Sequence, residues 1–299
     1  IYKDLMDYKS LMERDGFILV KNVFSREEII NLKDLLKSQI DTKGLKRSKN
    51  QLGTDLLNAA VEIPKLDWVF INKKILTIMN KLISKEIIFT CHCDAFSGIM
   101  SPWHKDDGTG LTGKDKGYFE DYTYGKEDVQ VYKIALYLQS HKRNSAGLSV
   151  VRGSHKTNYE TTKKILNNKN ITLHTNTGDI IIFDVRLTHS GQKEVIPMKW
   201  TSSNIWIKNI QNFIQKIPKI NTLFYLIVGS FQQKFFGKKM ALFWTYGANN
   251  HWTSKFAKNN MKRQLEFYEY RNIKTTTNLP YNTKEKLEKN NIIVFEKFK

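Results

Sequence analysis

The stretch from residue 86 to about 190 limits the possible folds most. It holds four short runs rich in β-branched and aromatic residues, "EIIFTCHCDAFSGIM", "VQVYKIALYLQ", "AGLSVVRGSH" and "TGDIIIFDV", broken by Gly, Asn and Ser. Runs of this length bounded by turn residues read as strands. The chain before them reads differently. In "FSREEIINLKDLLKSQI" (24–40), Ile29, Leu32, Leu35, Leu36 and Ile40 recur on one helical face, and Ser25 with Glu28 forms a capping box. "DGFILVKNVF" (15–24) is a short strand entered through a glycine, and "NKKILTIMNKLIS" (72–84) is a second amphipathic helix. Near the C-terminus, "KKMALFWTYGANNHW" (238–252) reads as one more core strand followed by a turn, and "NNMKRQLEFYEY" as a helix. Helices first and strands after predict a mainly β core with helical decoration, a double-sheet jelly roll of the cupin-like kind.

An apolar fraction of 40%, with 6 Trp, 13 Tyr and 17 Phe, is that of a folded chain. Cys91 and Cys93 are the two cysteines, and neighbours at i, i+2 on a strand cannot reach disulfide geometry. With no disulfide framework and no apolar run in "IYKDLMDYKSLMERDG", a reducing, cytoplasmic setting is expected. The net charge of +19 points to an anionic partner, although a Lys/Asn/Ile-rich composition alone produces the same number. Residues 195–239 carry seven lysines and no acidic residue. Here Trp206, Ile210, Phe213, Ile214 and Ile217 fall at helical spacing, and Pro218 ends the pattern. The apolar stretches are shorter than the about 20 residues that span a bilayer. They fit a helical pair packed on the core, or a face lying on an anionic membrane surface.

Chemistry enters at "SPWHKDDG" (101–108). Side chains two apart on an extended chain share a face roughly 7 Å apart, so His104 and Asp106 can close on one metal ion. Two histidines and one carboxylate make the facial set that suits non-haem iron. His189, where "GDIIIFDVRLTHSGQ" leaves an apolar strand, is the third candidate. His92 and Asp94 in "HCD" form a competing pair. They lie within an apolar strand without the glycine turn, which favours 104/106.

Taken in order, "LMERDGFILVKNVFSREEIINLK", "PWHKD", "YKIALYLQ…AGLSVVRGSHK" and "GDIIIFDVRLTHSG" resemble the phytanoyl-CoA dioxygenase family of Fe(II)- and 2-oxoglutarate-dependent oxygenases. The resemblance runs over about residues 8–192 and resumes at "KKMALFWTYG". It implies a double-stranded β-helix core, His104, Asp106 and His189 as iron ligands, and 2-oxoglutarate and O2 as co-substrates. It also makes Gly153–His155 a structural turn, so that His155 is not a ligand. The family pairs an arginine with the far carboxylate of 2-oxoglutarate. Here lysines compete for that place: Lys199 by spacing from His189, Lys239 by its strand sequence, and Lys133 as a further candidate. Lys239 is preferred because a core strand must carry this residue, although lysine lacks arginine's bidentate fork. The carboxylate at position 106 favours hydroxylation over halogenation, since related halogenases have a small residue there.

The chain is thus expected to be one oxygenase domain over 1–299. N-terminal helices occupy 1–85, the jelly-roll core 86–194 and 238–250, a lysine-rich insertion 195–237, and a helical tail 251–299. The expected reaction is hydroxylation of an unactivated C–H in an anionic small-molecule, saccharide or lipid-linked substrate, with a peripheral membrane setting as an option. The alternatives are a basic nucleic-acid-binding protein, disfavoured because no such motif is present, and an inactive jelly roll that binds without iron.

Overall fold

The computed structural model describes residues 7–45, 53–98, 103–109, 117–119, 122–126, 128–140, 148–158, 161–162, 170–191, 205–215, 227, 231, 234, 238–276 and 278–295. Two sheets face each other. The larger has the strand order β1 (Phe17–Val20), β7 (Ile180–Asp184), β4 (Val131–Tyr137), β9 (Met240–Ala248), β3 (Ile87–Ser97) and β10 (Ile292–Val294), with β2 (Thr54–Leu56) also on β3. Its pairs are antiparallel except β10–β3, which is parallel. The smaller has the order β6 (Asn170–Leu173), β5 (Leu148–Val151) and β8 (His189–Ser190).

The period of two along each strand divides the core in two. One face of the large sheet carries Cys93, Ile134, Leu136, Leu242, Trp244 and Tyr246, packed against the helices. Those are chiefly α2 (Arg26–Lys43) and α5 (Lys73–Leu82), bringing Ile29, Leu32, Leu36, Ile75 and Met79. The other face carries Ala135, Tyr137, Ile181, Phe183 and Ala241, packed against Leu148, Val150 and Leu173 of the small sheet. α2 starts with the capping box of Ser25 and Glu28, worth about 1 kcal/mol. Each buried aliphatic side chain on its inner stripe contributes about 1.5–3 kcal/mol, so packing rather than capping sets the position of the helix.

Three expectations need correction. The N-terminal 1–85 segment, read as helical with one short strand, supplies both β1 and β2 to the large sheet. The tail from 251 is not helical throughout, because β10 continues the sheet beside Ile87–Phe89. The "turn" after β9 is one residue pair: Asn250 caps the long helix α7 (His251–Tyr270), its side chain accepting from the Thr253 N–H. α7 therefore begins eight residues before "NNMKRQLEFYEY". It buries Trp252 and Phe256 with Phe119, Val131 and Val185, whose carbonyl accepts the Asp106 N–H.

Candidate metal centre

The polypeptide itself joins the two segments that carry the candidate ligands. His104 N–H donates to His189 O and His189 N–H to His104 O, each at 2.9 Å. Asp106 N–H donates to Val185 O at 2.9 Å, and Gly108, at φ +82°, turns the chain away under the Tyr118 ring. Lys105 faces the other way. Its buried ammonium donates to the carbonyls of Ser154 (2.6 Å) and Arg186, and burial pushes it down to about 8. Arg186 in turn is forked on Asp184 at 2.7 and 2.5 Å, a closed ion pair.

This frame brings together ligand atoms of His104, Asp106 and His189, all within 4.8 Å of one another. His104 Nε2 lies 3.5 Å from Asp106 Oδ1, and His189 Nε2 lies 3.4 Å from Asp106 Oδ2. The His189 Nδ1–H donates to Leu187 O at 2.9 Å, which fixes the tautomer and leaves the Nε2 lone pair toward the cluster. Burial, then His104 beside it, pushes His189 down to about 3, so the ring is a neutral donor. Burial opposes ionisation of Asp106. The Lys133 ammonium, followed by His189 and His104, outweighs it and holds the carboxyl well below the usual carboxylate range. A neutral imidazole and an ionised carboxylate, with a second imidazole beside them, form a donor set that fits a divalent first-row metal.

The other sequence candidates fall in different places. His92 and Asp94 point to the same interior but bond each other at 3.1 Å, and Thr245 takes the second ring nitrogen at 3.1 Å. Cys91 and Cys93 face the helices, both as free thiols, and Cys91 sits at φ +59° in the bulge that turns this strand. Lys133 on β4 is buried with Nζ 2.9 Å from Asp106 Oδ2 and 5.5 Å from the Phe243 ring centre. Lys239 immediately precedes β9 and is buried 5.1 Å from the Tyr137 ring centre, and burial pushes its ammonium down to about 7. Lys199 lies outside the described residues. His155 is buried beside Gly16, is pushed down to about 4 by burial, and is not part of the cluster.

A family model for phytanoyl-CoA dioxygenase matches residues 12–194. The chain belongs to the phytanoyl-CoA dioxygenase family. With the two-histidine, one-carboxylate cluster in place, this member is a non-haem iron, 2-oxoglutarate-dependent dioxygenase. The fold agrees. The carbocyclase SnoK from nogalamycin biosynthesis superposes with TM-score 0.53 at 10% identity, covering 82% of this chain and 85% of that one. HygX from Streptomyces hygroscopicus, with nickel, 2-oxoglutarate and hygromycin B bound, superposes with TM-score 0.53 at 12% identity, covering 82% and 88%. EctD from S. alaskensis with bound Fe gives 0.51 at 14% identity, covering 80% and 75%. No curated protein matches the sequence at a significant level.

Sequence reasoning missed Lys105, Tyr118, Thr245, Arg263 and Gln264 of this dioxygenase's interior. A lysine between two candidate ligands carries no mark of burial, and the residues of α7 join the site only through the way that helix packs.

Proposed function

We propose that the protein hydroxylates an unactivated C–H bond of an anionic small molecule. His104, Asp106 and His189 hold the iron, and Lys239 holds the far carboxylate of 2-oxoglutarate. In this reading the two sheets are the major and minor sheets of a double-stranded β-helix. Residues 1–299 are then one oxygenase domain, in which 195–237 is inserted ahead of β9. The observation that carries the proposal is the convergence of three ligand atoms from two segments more than eighty residues apart. Bound ferrous iron supplies the oxidation, in which 2-oxoglutarate and O2 give succinate, CO2 and a hydroxyl on the substrate carbon.

The chain's own residues do the rest. Lys239 is favoured over Lys199 because β9 lies at the centre of the large sheet, between β4 and β3. A carboxylate against this desolvated ammonium restores its charge, though as a point contact rather than a fork. Phe183, 4.8 Å from the His189 ring, and Phe243 wall the centre with apolar surface that excludes water.

For a membrane setting, support comes from α6 (Ile205–Gln215), where Ile205, Ile210 and Phe213 are each more than half exposed within a segment lacking acidic residues. No helix among the described residues is long and apolar enough to cross a membrane, so this contact would be peripheral, in or out of the cytoplasm. Liposome flotation tests it: recovery should rise with acidic lipid, and equal recovery on neutral vesicles counts against it.

Succinate release under Fe(II), 2-oxoglutarate and O2 tests the reaction. The wild type should form succinate and His104→Ala should not. Equal release by both would refute the assignment.

A further inference from the structure

Among the described arginines, Arg14 and Arg152 meet Asp15, and Arg186 meets Asp184. Arg263 is different. It is half-buried on the inner side of α7, and no carboxylate among the described residues lies within ion-pair distance of it. Its Nη2 donates to Asn260 Oδ1 at 3.1 Å, and its enclosed Nε–H has no acceptor. A guanidinium kept partly out of water without a counter-anion is costly unless an anion arrives.

Its surroundings belong to the site. On the next residue, Gln264 donates to Asp94 Oδ1 at 3.3 Å. One turn earlier, Asn259 donates to Tyr118 O at 2.8 Å, and Phe256 packs edge-on to the Tyr118 ring at 5.7 Å and against His92 at 5.9 Å. The Tyr118 ring covers Gly108, two residues past Asp106, and its phenol feels Arg263, Asp106 and Asp94 together. The Tyr118 ring over Gly108 and the Gln264 bond to Asp94 thus tie the helix face that carries the cation to the turn that carries Asp106.

We propose that Arg263, with the Tyr118 hydroxyl, is the subsite for the substrate's oxyanion, a carboxylate or a phosphate. The guanidinium fork suits either group. Held there, the substrate is anchored by its charge, and its neighbouring carbons face the cluster of His104, Asp106 and His189. What happens at those carbons rests on the iron reading; the capture of the anion does not.

The test is a footprint on the full chain. Arginines are modified with phenylglyoxal and read by peptide mass spectrometry, with and without inorganic phosphate or acetate. Phosphate, acetate or both should slow modification of Arg263 about tenfold, the equivalent of one charge-assisted contact. Exposed Arg26 and Arg271 should react unchanged. Protection should persist with Ni(II) and 2-oxoglutarate bound. Three results overturn the proposal: no protection by either anion, equal protection of every arginine, or protection of Arg263 by 2-oxoglutarate in place of phosphate, which would assign it to the co-substrate. If Ni(II) does not bind, the iron reading falls while the footprint still decides the anion site. An Arg263→Met protein that folds should lose phosphate binding by calorimetry by the same factor.

Discussion

Two His-x-Asp pairs face the same interior, yet they end in different states. His92 and Asp94 satisfy each other: the ring bonds the carboxylate at 3.1 Å, Thr245 takes the other nitrogen, and Gln264 takes the second carboxylate oxygen. His104 and Asp106 stay 3.5 Å apart, and His189 closes on them through a backbone bridge. Burial, which pushes the His92 ring down, acts on both regions. The lesson is that a His–Asp pair bonded to itself and to its neighbours is architecture, while a pair that a second imidazole joins within 4.8 Å is a ligand set.

Exchanging the two pairs in a mutant series is the strongest way to break this contrast. His104→Ala or Asp106→Ala should weaken metal affinity by more than the roughly 10–100-fold that losing a ligand's outer partner costs, read by equilibrium dialysis with Ni(II). His92→Ala should hold metal normally.

Lys133 sharpens the contrast, because it pairs with the ligand carboxylate and not with Asp94. Lys133→Met should destabilise the metal-free protein by about 3–5 kcal/mol, since it leaves a buried carboxylate uncompensated. Metal gives Asp106 a new counter-charge, so the loss in Tm should shrink once Ni(II) is added. The sign with pH follows. Asp106 is held below its ordinary value, so its stabilising pairing is present at neutral pH and fades as pH falls through the lowered value. In the variant that acid-side loss should be smaller.

His92→Ala removes a bonded partner from Asp94 and Thr245 and should cost about 1–3 kcal/mol in chemical denaturation. A smaller effect comes from Lys239. Its ammonium, pushed down to about 7, is lost as pH rises through neutrality. The KM for 2-oxoglutarate should therefore climb between weakly acidic and weakly basic pH, about tenfold per unit at most. Lys239→Arg should flatten that climb.

Much of this was legible from the chain. The capping box at Ser25 and Glu28, the glycine entry to β1 and the apolar runs of β3, β4, β7 and β9 are local signals, and all of these elements form. β2, β6 and β10 are three- and four-residue strands whose pairing depends on the neighbour that receives them, so no local pattern announces them. His104, Asp106 and His189 could be read from their residue types and order, although His104 and Asp106 lie not on a strand but in a turn that a single bridge to β8 holds in place. Lys133 and Lys105 could not be seen as buried, because lysine in an alternating pattern reads as surface. Arg263 acquires meaning only when α7 packs against β3 and Tyr118.

Anomalous diffraction from crystals soaked anaerobically in Fe(II) tests the central claim most directly. The account predicts one peak among the imidazoles of His104 and His189 and the carboxylate of Asp106. A peak beside His92 and Asp94, or none in a folded protein, would contradict it.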